Sequence, residues 1–355
     1  QYQFDVFHCH YLLHDYERAY EVIQQLVEKA EDVRGEYRQA FVTMATLLVE
    51  RELSRDPQHA ATVIEKSDEV HATLLRDFPH NASFRFQRQA IAMARARWLL
   101  TQGSYAAATL AVQQAIEVCE AAADDPTLWQ AATEQLASGY KLAAYAAWKE
   151  QNPGAAAAAA EQAVRVSQAL TDYFSEAPLR HLALAEALYL QREIYLAMGD
   201  PARATESARQ EREILERALA RWPDHGQIIA RLAWLLVTCH DDGLRDEQRG
   251  ENLIAGLDEA KVARPFALCV ARFRLGDPQP LRRFLETTRS DNRHLRAYRA
   301  LLAAIDGDRE GSRELQERVN EAPVSGHLAP ELAARAIVAE VEALWGVSSP
   351  TSEEI

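Results

Sequence analysis

Cysteine is scarce and scattered in this chain of 355 residues: Cys9, Cys119, Cys239 and Cys269 form no Cys-x-x-Cys pair. That spacing argues against a disulfide framework and against a structural zinc site, and it suits a reducing compartment. Glycine and proline number only 14 and 13, too few for the many tight turns of an all-β protein. Positive charge is also in deficit, with 39 Lys and Arg against 53 Asp and Glu and a net charge of −14. A broad basic face for nucleic acid is therefore not expected, and anionic membrane surfaces should repel the chain. No apolar run reaches the length of a membrane span. The phosphate-binding patterns GxxxxGK[ST] and GxGxxG are missing, as are GxSxG, HExxH and EF-hand loops. The glycine-rich loop, HRD and DFG of protein kinases are missing too. These gaps predict no catalysis by this chain and no cofactor.

What is present is helical periodicity from end to end, in a composition rich in Ala, Leu, Glu, Gln and Arg, all good helix formers. Short hinges interrupt it and resemble one another: HDYERA at 14–19, GSYAAA at 103–108, GDPARA at 199–204, GDP at 276–278 and GDR at 307–309. Weaker hinges are RDPQHA at 55–60, QNPG at 151–154 and CHDDGLRD at 239–246. A Gly or His/Asn-type residue is expected to end the first helix in the left-handed conformation, and Asp or Ser to cap the second. Ala19, Ala108 and Ala204 each stand five residues after a hinge begins, where two helices of a pair must approach closely. Hinges near 14, 56, 103, 152, 199, 242, 276 and 307 give a period of the size expected for stacked supersecondary units. The expected fold is all-α, an α-solenoid of about eight antiparallel helical hairpins over 1–329. A terminal amphipathic helix at 330–346 should cap it, and 347–355 should form a loose polar tail.

The pattern resembles the tetratricopeptide repeat (TPR), with the best match at Tyr105, Ala108, Val112 and Ala115 and a fair one at Tyr16 and Ala19. Most spacings exceed the usual 34 residues of that family. The resemblance implies a right-handed superhelix whose first helices line a concave groove. Aligning each hinge to the family pattern implies groove-facing positions at His8, Tyr11, Met93, Arg97, Leu142, Tyr189 and Glu193. The Lys/Asn clamp of the chaperone-binding members is not evident. The segment RLAWLLVTCHDDGLRD at 231–246 resembles, more narrowly, a repeat of the C-terminal TPR arrays of planctomycete serine/threonine kinases, with His240 and Asp242 where prolines are usual. An excess of Arg over Lys of 34 to 5 fits a GC-rich genome, and the six alanines at 155–160 read as drift in a helix that tolerates Ala.

Four groups stand out as candidate sites. His8, Cys9, His10 and His14 contain an i, i+4 histidine pair that can chelate a metal; hinge and surface roles are expected instead, and no metal. The loop 239–242 (CHDD) reads as an acidic connection between helices. The aromatic residues Tyr2, Phe4, Phe7, Tyr11, Tyr16 and Tyr20 read as packing within the first hairpin, or as a face that an upstream repeat covers. The six tryptophans, spread singly, read as anchors between helices. The functional expectation is a non-catalytic interaction scaffold that holds a partner peptide or domain in its groove. Its expected setting is the regulatory region of a larger signalling protein such as a serine/threonine kinase. A solenoid that senses a small ligand by changing curvature is the alternative. The chain lacks an initial Met and begins mid-helix, so it reads as a fragment, with a dimer contact left open at its first hairpin. A cytoplasmic location is expected, or an extracytoplasmic one if the parent kinase spans a membrane.

Overall fold

The computed structural model describes residues 2–13, 15–29, 32, 34–53, 55–257, 262, 266–288, 293–321, 337, 338 and 341. Among these there is no β-strand. His14, the side chain of Cys9, nearly all of the expected cap at 330–346 and the tail at 347–355 lie outside the described residues. Two compact units divide the chain, Gln1–Asn152 and Pro153–Ile355. None of the described helices is long and apolar enough to cross a membrane.

The first unit contains α1 (Tyr2–Leu12), α2 (Tyr16–Lys29), α3 (Glu36–Glu52), α4 (Pro57–Asp77), a single turn α5 (Ala82–Phe86), α6 (Arg88–Thr101), α7 (Tyr105–Ala123) and α8 (Trp129–Lys149). The second contains α9 (Pro153–Tyr173), α10 (Pro178–Ala197), α11 (Pro201–Arg221), α12 (Gly226–Thr238), α13 (Glu247–Ile254), α14 (Phe266–Arg274), α15 (Gln279–Thr287), α16 (Arg293–Ile305) and α17 (Arg309–Glu321). Helices pack as sequential hairpins: α1 with α2, α3 with α4 and α6 with α7 in the first unit, then α10 with α11, α12 with α13, α14 with α15 and α16 with α17 in the second. Each second helix within a unit also packs on the next first helix, as α2 does on α3 and α7 on α8.

The hinges show why these sequences turn where they do. Gly103, Gly199, Gly276 and Gly307 have φ between 71° and 93°. After each, the chain reverses through a paired set of hydrogen bonds: Ser104 N–H donates to Leu99 O while Gly103 N–H donates to Leu100 O, with the same pattern at Asp200/Tyr195 and Gly199/Leu196. This is the six-to-one, five-to-two ending that satisfies the last carbonyls of a helix. At 151–153 it is Gln151, not a glycine, that takes positive φ (59°), and Gly154 lies inside α9. Aspartates then cap the second helices, Asp56 accepting from His59 N–H and Asp200 from Arg203 N–H; Ser104 makes no such side-chain cap.

Five residues after their hinges begin, Ala19, Ala60, Ala108, Ala204 and Ser312 are all fully buried, small side chains that leave room for a close helix neighbour; after Gly276 the fully buried residue at that place is Leu281. The alanine run follows the same logic, since Ala156, Ala157 and Ala160 are buried and Ala155 and Ala158 are exposed. The run is thus a packing face, more than drift. The extra turn α5 has a local cause. Phe78-Pro79 stops α4, and Asn81 caps a new turn by accepting from Phe84 N–H.

His71 of α4 lies fully buried beneath that turn, 2.8 Å from Phe84 O through Nε2. Burial holds its pKa below the ordinary 6.5, with Arg88 acting the same way and the Phe84 carbonyl opposing. A lowered folded pKa means the unfolded chain binds the proton first, so stability is whole above pH 6.5 and falls as the pH drops below it. Urea midpoints taken from pH 7.5 down to 5 should decline, and His71→Leu should flatten part of that decline. An unaltered slope in the variant would show that His71 does not carry it.

Candidate functional site

The α1 face is built by helical spacing. Phe4, Phe7 and Tyr11 fall at i, i+3 and i+7 on one stripe, with ring centroids 5.6 Å apart between Phe4 and Phe7 and 6.2 Å between Phe7 and Tyr11. Phe4 also meets Tyr37 of α3 at 5.1 Å. Between this aromatic stripe and α3 runs a groove of about 370 Å³, lined by Phe4, Phe7, His8 and Tyr11 from α1 and by Glu36, Gln39, Ala40, Thr43 and Met44 from α3. Phe7 and Met44 form its buried floor, while His8 and Thr43 are exposed at its rims. Gln87, just before α6, donates to Gln39 O at 2.8 Å and to Thr43 Oγ at 3.0 Å, so the α3 rim is polar and held in place. Further along, Arg97 of α6 donates to Glu50 of α3 at 2.6 Å. His8 and Tyr11 stand on α1 and Arg97 on α6, first helices of one unit with α3 between them in the chain.

The other positions implied by the TPR alignment fall elsewhere. Met93 and Leu142 are core residues, 3% and 4% exposed. Tyr189 and Glu193 belong to a closed cluster in the second unit. Arg192 sits over the rings of Tyr189 and Trp234, 4.9 and 5.3 Å from their centroids, and Arg231 sits over the same two rings at 4.5 and 4.3 Å. The two rings meet edge to face at 5.0 Å. Glu211 of α11, with no exposed surface, accepts from Arg192 at 3.0 Å and from Arg231 at 2.7 and 3.0 Å. Glu193 accepts from Arg192 through two bonds of 3.1 Å.

Electrostatics follow from the burial. Burial pushes the Tyr189 phenol well above its ordinary value, helped by Glu193, and raises the Glu193 carboxyl against the pull of Arg192. Burial also works against the charge on Arg192, but Glu211 and Glu193 outweigh it and the guanidinium stays protonated. Two arginines and two glutamates make the cluster neutral, and the aromatic faces take the cations. Tyr298 of α16 is close enough to act electrostatically on Tyr189. Tyr189, Trp234 and Tyr298 are all buried, so first-helix positions that form a groove in the first unit are filled in the second.

The remaining candidates resolve into structural contacts. His8 Nδ1 lies 3.0 Å from Phe4 O, and His10 Nδ1 lies 3.5 Å from Asp15; among the described residues no three His, Cys, Asp or Glu groups converge on a metal position. In the 239–242 loop Asp241 accepts from the Thr205 hydroxyl at 2.7 Å and from Gly243 N–H at 2.8 Å. Burial raises the Cys239 thiol. Trp98 behaves as an anchor, its indole N–H donating to Pro57 O at 2.9 Å. The sequence reading missed Arg192, Arg231 and Glu211. A signal existed, since an Arg stands three residues from an aromatic ring on both first helices, Tyr189 with Arg192 and Arg231 with Trp234.

No protein-family model matches the chain, and no curated protein does. Among solved structures, the crystal structure of the yeast Tom70 is similar at 13% identity, over 98% of this chain and 80% of that one, with a TM-score of 0.25. The assignment of hairpins rests on the helix contacts and hinge geometry above, not on that likeness.

Proposed function

We propose that this chain is a non-catalytic protein-interaction scaffold of TPR-like hairpins, and that the α1/α3 groove takes apolar side chains of a partner segment. The observation that carries this reading is the groove between α1 and α3, with half-buried Phe4, buried Phe7 and exposed Tyr11 along α1 and a polar rim on α3. Such a surface offers burial for anchor side chains and backbone hydrogen-bonding partners along one edge. His8 and Tyr11 would contact the partner, and Arg97 with Glu50 would mark the groove's continuation. Met93 and Leu142 would act only through packing. The closed state of the Tyr189/Glu193 cluster gives the ligand-sensing alternative no opening, and we do not favour it. We further infer a setting within a larger signalling protein of the serine/threonine kinase class; the resemblance of 231–246 to kinase-linked arrays supports this.

The test places benzoylphenylalanine at Gln39 and photo-crosslinks the chain in extracts of its source cells. One protein should be captured, and capture should fall at least about tenfold when Thr43→Trp fills the exposed rim, as expected for loss of a hot-spot contact. Equal capture with the groove filled would remove the groove from the binding site.

A further inference from the structure

A second cleft lies on a different face of the first unit, between the C-terminal parts of the two second helices α2 and α4, with the start of α3 beneath it. Its volume is about 740 Å³, twice that of the α1/α3 groove. The floor is apolar: Val27, Phe41, Val70 and Phe78 line it. The walls are acidic, with Glu28 from α2, Asp32 from the following loop, and Glu69 and Asp77 from α4.

The charges do not cancel. Arg38 is shared by two of the carboxylates, donating to Asp32 at 3.1 Å and to Asp77 at 2.5 Å. Lys66 pairs with Glu69 at 3.2 Å. Among the described residues Glu28 has only the neutral Gln24 amide, at 3.1 Å. Four carboxylates thus face two cations across an apolar floor. Both flanking helices also end here, and helix C-termini add partial negative charge. The basic residues of those last turns, Lys29 and Arg76, are not part of the lining.

We propose that this cleft docks a basic–apolar segment of a partner protein, one in which Lys or Arg alternates with Leu- or Phe-type side chains. The apolar side chains would cover Phe41 and Phe78, and the cations would meet Glu28 and the exposed sides of Glu69 and Asp77. An acidic segment is disfavoured by the same excess of carboxylates. The site stands apart from the α1/α3 groove and does not depend on it.

The test uses a fluorescein-labelled decapeptide of alternating Lys and Leu, read by fluorescence anisotropy on the full chain at low and moderate salt. Its Gln-for-Lys counterpart should bind about tenfold more weakly, and so should the wild-type peptide to the double variant Glu28→Lys/Glu69→Lys, given the usual worth of close charge pairs. Both glutamates are exposed, so the variant should fold. A charge change of equal size at exposed sites outside the cleft, Glu117→Lys/Glu213→Lys, should change affinity less than about twofold, because distant surface charges are screened. Thr43→Trp in the groove should also leave binding unchanged. Three results would overturn the proposal: no binding by the wild-type chain, equal weakening by both pairs of reversals, or loss of binding when the groove is filled.

Discussion

Glu211→Ala is expected to destabilise the second unit by about 3–5 kcal/mol, the cost of leaving buried charge without its partner. Glu211 has no exposed surface and is the shared acceptor for Arg192 and Arg231. Its removal leaves Arg192, itself buried, with Glu193 alone, and leaves Arg231 above two rings with no carboxylate. The effect should be local to the second unit. Hydrogen exchange followed by mass spectrometry would show faster exchange in α10, α11 and α12, with urea unfolding supplying the magnitude. The triple variant Glu211→Leu/Arg192→Met/Arg231→Met should recover most of the loss, because replacing a whole buried ionic group by apolar side chains is often neutral or better. A loss below about 1 kcal/mol for Glu211→Ala, the range of an exposed pair, would mean that the cluster is open to water.

Gly35→Ala is expected to destabilise the first unit by about 2–5 kcal/mol, combining left-handed backbone strain with overpacking. Gly35 precedes α3 with φ of 75°. A Cβ there would lie 2.6 Å from Leu74 Cδ1 and 3.0 Å from the rings of Phe78 and Phe84. Gly103 supplies the control. Its φ is nearly the same, 71°, but a Cβ would meet nothing within 4 Å. Gly103→Ala should therefore cost only the backbone part, about 1–2 kcal/mol. The difference between the two variants, measured by thermal or urea unfolding, isolates the packing contribution. Equal losses would show that the Leu74–Phe78–Phe84 corner gives way freely.

Much of the fold was legible because it is written in short-range rules. A glycine at 103, 199 or 307 followed by a capping residue and a buried small side chain five positions on is a local signal, and the structure keeps every part of it except the Ser104 cap; at 276 the glycine keeps its positive φ, but the buried residue five positions on is Leu281. Gln151 escaped that reading because nothing in its side chain announces positive φ. The first aromatic stripe was legible for the same reason, since 4, 7 and 11 share a face by helical period alone. The groove positions were less so. Met93 and Leu142 were placed by aligning hinges to the TPR pattern, but that alignment fixes only the approximate turn of a helix. A rotation of about one residue moves a side chain some 100° around the axis, from groove to core. The charged cluster around Glu211 depends on how three helices of two successive hairpins meet, and no local pattern encodes that. The acidic cleft between α2 and α4 is likewise set by the separation of two helices that are about 40 residues apart in the chain.

Under the function proposed here, the first unit presents the partner-binding groove while the corresponding face of the second unit is filled. Hydrogen–deuterium exchange on the intact chain, with and without the partner captured at Gln39, tests it without altering the protein. New protection is expected in α1 and α3, over 4–11 and 36–47, with α10 and α12 unchanged over 189–193 and 231–234. Protection confined to those α10 and α12 segments, with α1 and α3 exchanging as before, would contradict it.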